Sequence, residues 1–152
     1  MSVDEAYNFK KIDDHVSTAG LLNEGQLALL KAEGYEALIN LLPDESEYAV
    51  EKEPAIVKAQ GIAYEYIPVD FSAPKAADYQ QFESRLKELS GKKVMLHCAA
   101  NYRVSAFFAI FACKHLGWSE DRAREHINSI WQIEKYPAWA AFVDAMLGVK
   151  NA

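Results

Sequence analysis

Apolar positions along this chain fall into short continuous runs, separated by longer stretches in which they recur at helical spacing. The run at 37–42 (ALINLL), bounded by Gly34 and Pro43, reads as a strand buried on both faces. Residues 12–19 predict an opening strand, 64–69 (YEYIPV) another, and 94–97 (VMLH) a fourth. Between them, Asn23 with Gln26 three positions on forms a capping box for a helix through Glu33, and Gly34 stops it. The acidic stretch 44–60 is partly helical, with Pro54 as its first helical position and Gly61 as its stop. Residues 75–90 predict a further helix. The C-terminal part is helical throughout: 104–116 ends at Gly117, Ser119 caps a helix to about Trp131, and Pro137 opens a last one ending near Gly148. Strands alternating with helices imply an α/β fold, a central mainly parallel sheet flanked by helices. In such sheets ligands bind at the carboxyl ends of strands, where Asp70 and Cys98 fall.

Composition narrows the function classes. At 152 residues and 51% hydrophobic content, the chain suits one core, so residues 1–152 are expected to form a single domain. The net charge of −6 argues against a general nucleic-acid or anionic-membrane binder. No run approaches a membrane span, and MSVDEAYNFKK lacks the apolar segment of a signal peptide. Two cysteines, Cys98 and Cys113, are too few for a disulfide framework, so the expected location is cytoplasmic.

The chemistry concentrates in 92–117, which reads as strand, tight loop and long apolar helix, with Cys98 and Arg103 on the loop. Unpaired N–H groups and the dipole at a helix N-terminus hold an oxyanion. The same potential favours a thiolate over a thiol. Cys98 therefore reads as a nucleophile facing an oxyanion, and Arg103 as a planar guanidinium able to grip two of its oxygens. The tightest bend usually wants glycine; here it has Asn101, which tolerates positive φ.

The run His97-Cys98-Ala99-Ala100-Asn101-Tyr102-Arg103-Val104-Ser105 resembles the signature of cysteine-dependent protein tyrosine phosphatases. From about Val16 to Trp131 the chain is similar to the bacterial dual-specificity-like phosphatases, whose domain also occurs fused to β-lactamase-like hydrolases. GYEALINLLPDE, GIAYEYIPVDF and the cysteine loop occur in that family's order. The usual loop has five residues between Cys and Arg, whereas only Ala99, Ala100, Asn101 and Tyr102 lie between Cys98 and Arg103. Shorter loops belong to rhodanese-type sulfurtransferases, so sulfur transfer through a Cys98 persulfide is the alternative. A catalytically inactive phosphate- or phosphoprotein-binding module is the other.

The resemblance implies hydrolysis of phosphate monoesters through a phosphocysteine, with a phosphorylated protein or small molecule as partner and no metal or organic cofactor. Cys98 attacks phosphorus, Arg103 and the N–H groups of 99–103 hold the oxygens, and Asp70, in the segment DFSAP, protonates the leaving group. Asp78 is the reserve acid. His97 orients the loop, and Ser105 is expected to approach the Cys98 sulfur. Plainer readings stand beside these: a core thiol for Cys98, a surface ion pair for Arg103, a core hydrogen bond for His97, a turn for Asp70 and a helix cap for Ser105. Cys113, within FFAIFAC, reads as a core thiol, and Trp131, Tyr136 and Trp139 as helix packing. Tyr102 either meets substrate or packs on a neighbouring loop. His15, His115 and His126 show no spacing with His97-Cys98 that completes a zinc site.

Overall fold

In the computed structural model, which describes residues 2–149, the predicted strands pair side by side. They are β1 (Lys10–Lys11), β2 (Val16–Ala19), β3 (Ala37–Asn40), β4 (Ala63–Tyr66) and β5 (Val94–His97). Their order across the sheet is β1-β2-β5-β3-β4, antiparallel at β1 and parallel elsewhere. The opening strand expected at 12–19 is thus a hairpin, because Asp13 Oδ1 accepts from the N–H groups of His15 and Val16 and turns the chain.

Period-two alternation divides the side chains between two cores. Leu38 and Met95 face one side, toward Val3, Leu22, Leu27, Tyr35 and Val57. Ala37, Ile39, Val94 and Leu96 face the other, toward Phe82, Phe107, Ile110 and Trp139. With helices over both faces, β3 and β5 have no solvated side, which is why their sequences are continuously apolar.

The helices are α1 (Glu24–Ala28), α2 (Glu53–Lys58), α3 (Ala76–Glu88), α4 (Tyr102–His115), α5 (Glu120–Asn128) and α6 (Pro137–Val149). The capping box of α1 forms with both hydrogen bonds, at 2.8 and 3.0 Å. The helix is shorter than expected, giving way to turns before Gly34, which has φ +92°. Ser119 caps α5 by accepting from the Arg122 N–H at 3.1 Å. Helix α4 is wrapped almost wholly in protein: every residue from Val104 to Ala112 is buried. Each of its large side chains removed from water stabilises by about 1.5–3 kcal/mol, which fixes the helix firmly behind the cysteine loop.

Candidate active site

Strand β5 ends at His97 and α4 begins at Tyr102, so Cys98 to Asn101 must reverse the chain within four residues. Asn101 makes the turn possible by adopting φ 68°, ψ 6°, the left-handed conformation expected of it. The carbonyl of Asn101 accepts from the Ser105 N–H at 2.9 Å and closes the first turn of α4. Among the described residues, the N–H groups of Ala99, Ala100 and Asn101 donate to no protein acceptor. Those of Tyr102 and Arg103 lie in the first turn of α4, ahead of any intrahelical partner. Successive N–H groups through a left-handed residue into a helix form a concavity for an anion. The loop therefore presents donors.

Four hydrogen bonds brace this loop from the N-terminal segment. Asn101 Nδ2 donates to Asn8 O at 2.9 Å and Thr18 Oγ1 at 3.0 Å, while Asn8 Nδ2 donates back to Ala100 O at 3.0 Å. The Leu21 N–H donates to Ala99 O at 3.0 Å. Gly20 permits the approach: a Cβ there would lie 2.6 Å from Ala99 O and 2.9 Å from Ala100 Cα.

Cys98 is fully buried at the base of the loop. His97, one step earlier on the strand, points to the opposite face of the sheet. There its Nε2 lies 2.6 Å from Glu53 Oε2 at the start of α2, and its Nδ1 lies 3.0 Å from the Cys98 carbonyl. The expected orienting role thus has a geometric basis, and its partner is a residue that sequence reading passed over.

Arg103 turns inward. Its Nε donates to Val69 O at 2.8 Å and its guanidinium lies 5.0 Å over the Phe71 ring. Burial pulls its pKa down, while the charge and hydrogen bonding of the adjacent Cys98, and the charge of Asp70, push it up. Phe71 in turn packs on Tyr102, Trp131, Tyr136 and Trp139, and Trp139 Nε1 donates to Phe71 O at 2.7 Å. Trp131 and Trp139 are core, as expected, whereas Tyr136 is 37% exposed and meets Phe71 edge-on; together they position both Arg103 and the segment after Asp70. Val104 is buried in helix packing, so the arginine one position early takes the inward place.

No family model matches the chain. Over 102 residues, 65% of its length, it is 28% identical to the "Beta-lactamase hydrolase-like protein" of Xylella fastidiosa, and it spans 23% of that relative. It superposes with a TM-score of 0.84 on the crystal structure of a "putative phosphatase (DUF442)" from Shewanella putrefaciens CN-32, at 32% identity over 95% of this chain and 93% of that one. The chain belongs to the DUF442 family. P. aeruginosa TpbA, solved in complex with pTyr, shares the fold at 16% identity, with a TM-score of 0.72 over 93% of this chain and 89% of that chain.

In this DUF442 protein, Asp70 lies on the same cleft as Arg103, together with Glu45, Ser46 and Ser72, in a space of about 640 Å³. Its carboxylate accepts from the Ser72 hydroxyl at 2.8 Å and the Ser72 N–H at 2.9 Å. Those bonds, with Lys75 and Arg103 nearby, hold its pKa below the ordinary aspartate value. Asp70 is thus a turn aspartate and an accessible carboxylate beside the guanidinium at once. Asp78 sits in the first turn of α3 and does not line this cleft.

Ser105 departs from expectation. Its hydroxyl donates to Tyr102 O at 2.9 Å and accepts from Trp131 Nε1 at 3.0 Å, so its single proton serves the helix turn rather than the Cys98 sulfur. Tyr102 stacks on Trp131 at 4.4 Å between centroids, packing against the protein rather than lying open over the cleft. Glu53, Asn8 and Gly20 are the contributors that sequence reading missed. Their signal, a buried carboxylate and two loop braces distant in sequence, exists only in three dimensions. Among the described residues no group of three or more His, Cys, Asp or Glu side chains is placed to hold a metal.

Proposed function

We propose that this chain is a cysteine-dependent phosphatase that hydrolyses phosphate monoesters through a phosphocysteine. What supports it most is one juxtaposition: the Cys98 thiol beside the half-buried Arg103 guanidinium, on a loop whose N–H groups from 99 to 103 have no protein acceptor among the described residues. The Cys98 thiolate attacks phosphorus, forming an S–P bond as the ester P–O bond breaks. Arg103 and the loop N–H groups stabilise the charge on the equatorial oxygens. Protonated Asp70 gives its proton to the departing oxygen. Water then attacks the phosphocysteine, Asp70 takes its proton, and the S–P bond breaks to return the thiolate and inorganic phosphate. A dianion in the cradle opposes the ionisation of Asp70, raising its pKa from the depressed value of the free protein toward one suited to an acid.

Every role in this cycle except that of water is filled by the chain's own side chains and backbone N–H groups, so the reaction is written without metal or cofactor. The DUF442 relative and the phosphotyrosine complex of TpbA motivate an aryl phosphate as first substrate. The test is hydrolysis of an activated aryl phosphate in chelator, by wild type and Cys98→Ser, beside a thiosulfate-to-cyanide transfer assay. Chelator-resistant turnover that falls to background in the serine variant is expected. Sulfur transfer without phosphatase activity would instead assign the loop to persulfide chemistry.

A further inference from the structure

Away from the cysteine loop, the edge strand β1 and one face of α5 enclose a cavity of about 190 Å³. Helical spacing places Arg122 and His126 one turn apart on that face, and Glu125 and Ser129 likewise. Lys10 Nζ donates to Ser129 Oγ at 2.7 Å, and Ser129 Oγ donates to His126 O at 2.6 Å, which holds the ammonium at the cavity wall. The Arg122 guanidinium lies 4.2 Å over the Trp118 ring. Lys11 also lines the cavity and is 3.4 Å from the exposed Asp14. Three cations against the single carboxylate of Glu125 make this a positive spot on a chain of net charge −6.

His126 gives the spot a second, independent feature. It is only 4% exposed and lines the cavity, yet neither ring nitrogen has a hydrogen-bond partner among the described residues. Leaving a buried polar group unsatisfied costs about 1–3 kcal/mol, so such a group in a native fold calls for an explanation. The ring is wedged edge-on to Phe108 and Trp118, which fix it without satisfying it.

We propose that this cavity is a binding site for a small oxyanion, a carboxylate or phosphate group, with Lys10 and Arg122 neutralising its charge and His126 supplying an N–H. The volume lies below the roughly 300–1,000 Å³ of drug-sized sites, so the occupant is a small molecule or headgroup. Burial, then Lys10 and Arg122, push the His126 pKa down to about 4. An anion between those cations and the ring reverses the electrostatic part, so binding takes up a proton on His126. Burial lowers the Lys10 pKa, and Glu125, the one carboxylate lining the cavity among the described residues, offsets part of that shift.

The test is the shift of the His126 ring resonances on titration of the full chain with succinate and, separately, inorganic phosphate. Saturable binding is expected, severalfold tighter at pH 5 than at pH 7, because the proton that His126 takes up is more available at the lower pH. Arg122→Ala and Lys10→Ala, both on the periphery, should each weaken it at least about tenfold, since each removes a charged hydrogen-bond donor. His126→Gln, which lacks this resonance and is followed by titration calorimetry instead, should keep binding but lose the part of the pH dependence that the ring supplies. Preference for succinate over phosphate, or the reverse, identifies the occupant's headgroup. No saturable shift with either anion, or unchanged binding in Arg122→Ala and Lys10→Ala, would overturn the proposal. So would a shift abolished by Arg103→Ala, which would assign the signal to the cysteine loop.

Discussion

His97 Nε2 lies 2.6 Å from Glu53 Oε2, with both side chains buried, while His97 Nδ1 lies 3.0 Å from the carbonyl of Cys98. A carbonyl only accepts, so Nδ1 carries a hydrogen, and Nε2 and Glu53 hold at least one more between them. The imidazole is a strut from α2 to the backbone of the nucleophile. Glu53→Gln can still hydrogen-bond Nε2, whereas Glu53→Ala leaves a buried ring nitrogen without a partner. The alanine variant should lose about 1–3 kcal/mol of stability, read as a shift of the denaturant midpoint at constant slope, and the glutamine variant clearly less. Equal losses in both would make Glu53 a packing residue only.

Asp70→Asn should lower turnover by about 10²–10⁴-fold for poor leaving groups, much less for activated ones, and flatten the basic limb of the pH profile. Ser72 supplies the hydrogen bonds that depress the Asp70 pKa most. Removing the hydroxyl withdraws support from the carboxylate, so Ser72→Ala should raise that pKa and carry the basic limb to higher pH. An unmoved limb in both variants would take Asp70 out of the reaction.

Gly20→Ala tests the brace behind the loop. The new Cβ would stand 2.6 Å from Ala99 O and 2.9 Å from Ala100 Cα, both backbone atoms that cannot rotate away. Overpacking of this kind costs about 1–3 kcal/mol. The loop should shift and turnover should fall more than the loss of stability explains, measured well below the melting point; wild-type turnover would mean the loop tolerates displacement.

What the sequence disclosed and what it hid follow from the range of the contacts involved. Val94 to Arg103 is contiguous: a buried strand, a left-handed Asn and a helix start are each local, and the expected strand bounds match β5. Asp70 was legible as the residue after a strand at 64–69; β4 ends at Tyr66, and the N–H groups of Ile67 and Val69, bonded to Asn40 O and Leu41 O, carry the chain on to the same side of the sheet. Glu53 was not, since a glutamate in an acidic stretch looks solvated until the sheet's alternation turns His97 toward α2. Nor was the clasp of Asn8 on Ala100 and Asn101, which joins residues more than ninety positions apart. Ser105 misled because its register suggested the sulfur, while the Tyr102 carbonyl takes its proton and Trp131, brought in by the chain beyond α5, donates to its oxygen.

His126 makes stability depend on pH. Its folded-state pKa is about 4 against an ordinary 6.5, so between these values the unfolded chain binds the extra proton. This contribution is therefore fully present above pH 6.5 and is lost as pH falls toward 4, about 3 kcal/mol in all. Denaturant titrations of wild type and His126→Gln from pH 7.5 to 4 should differ by that slope; parallel curves would mean the ring is not held neutral by the fold.

The central claim, that Cys98 forms a covalent bond to phosphorus, is tested most directly by acid-quenching the protein during turnover of an aryl phosphate and weighing the Cys98 peptide. The account predicts a phosphoryl adduct on Cys98 that accumulates within one turnover and is more abundant in Asp70→Asn if hydrolysis of the intermediate is the slower step there. Turnover with no adduct on Cys98, or an adduct carried by another residue, would contradict it.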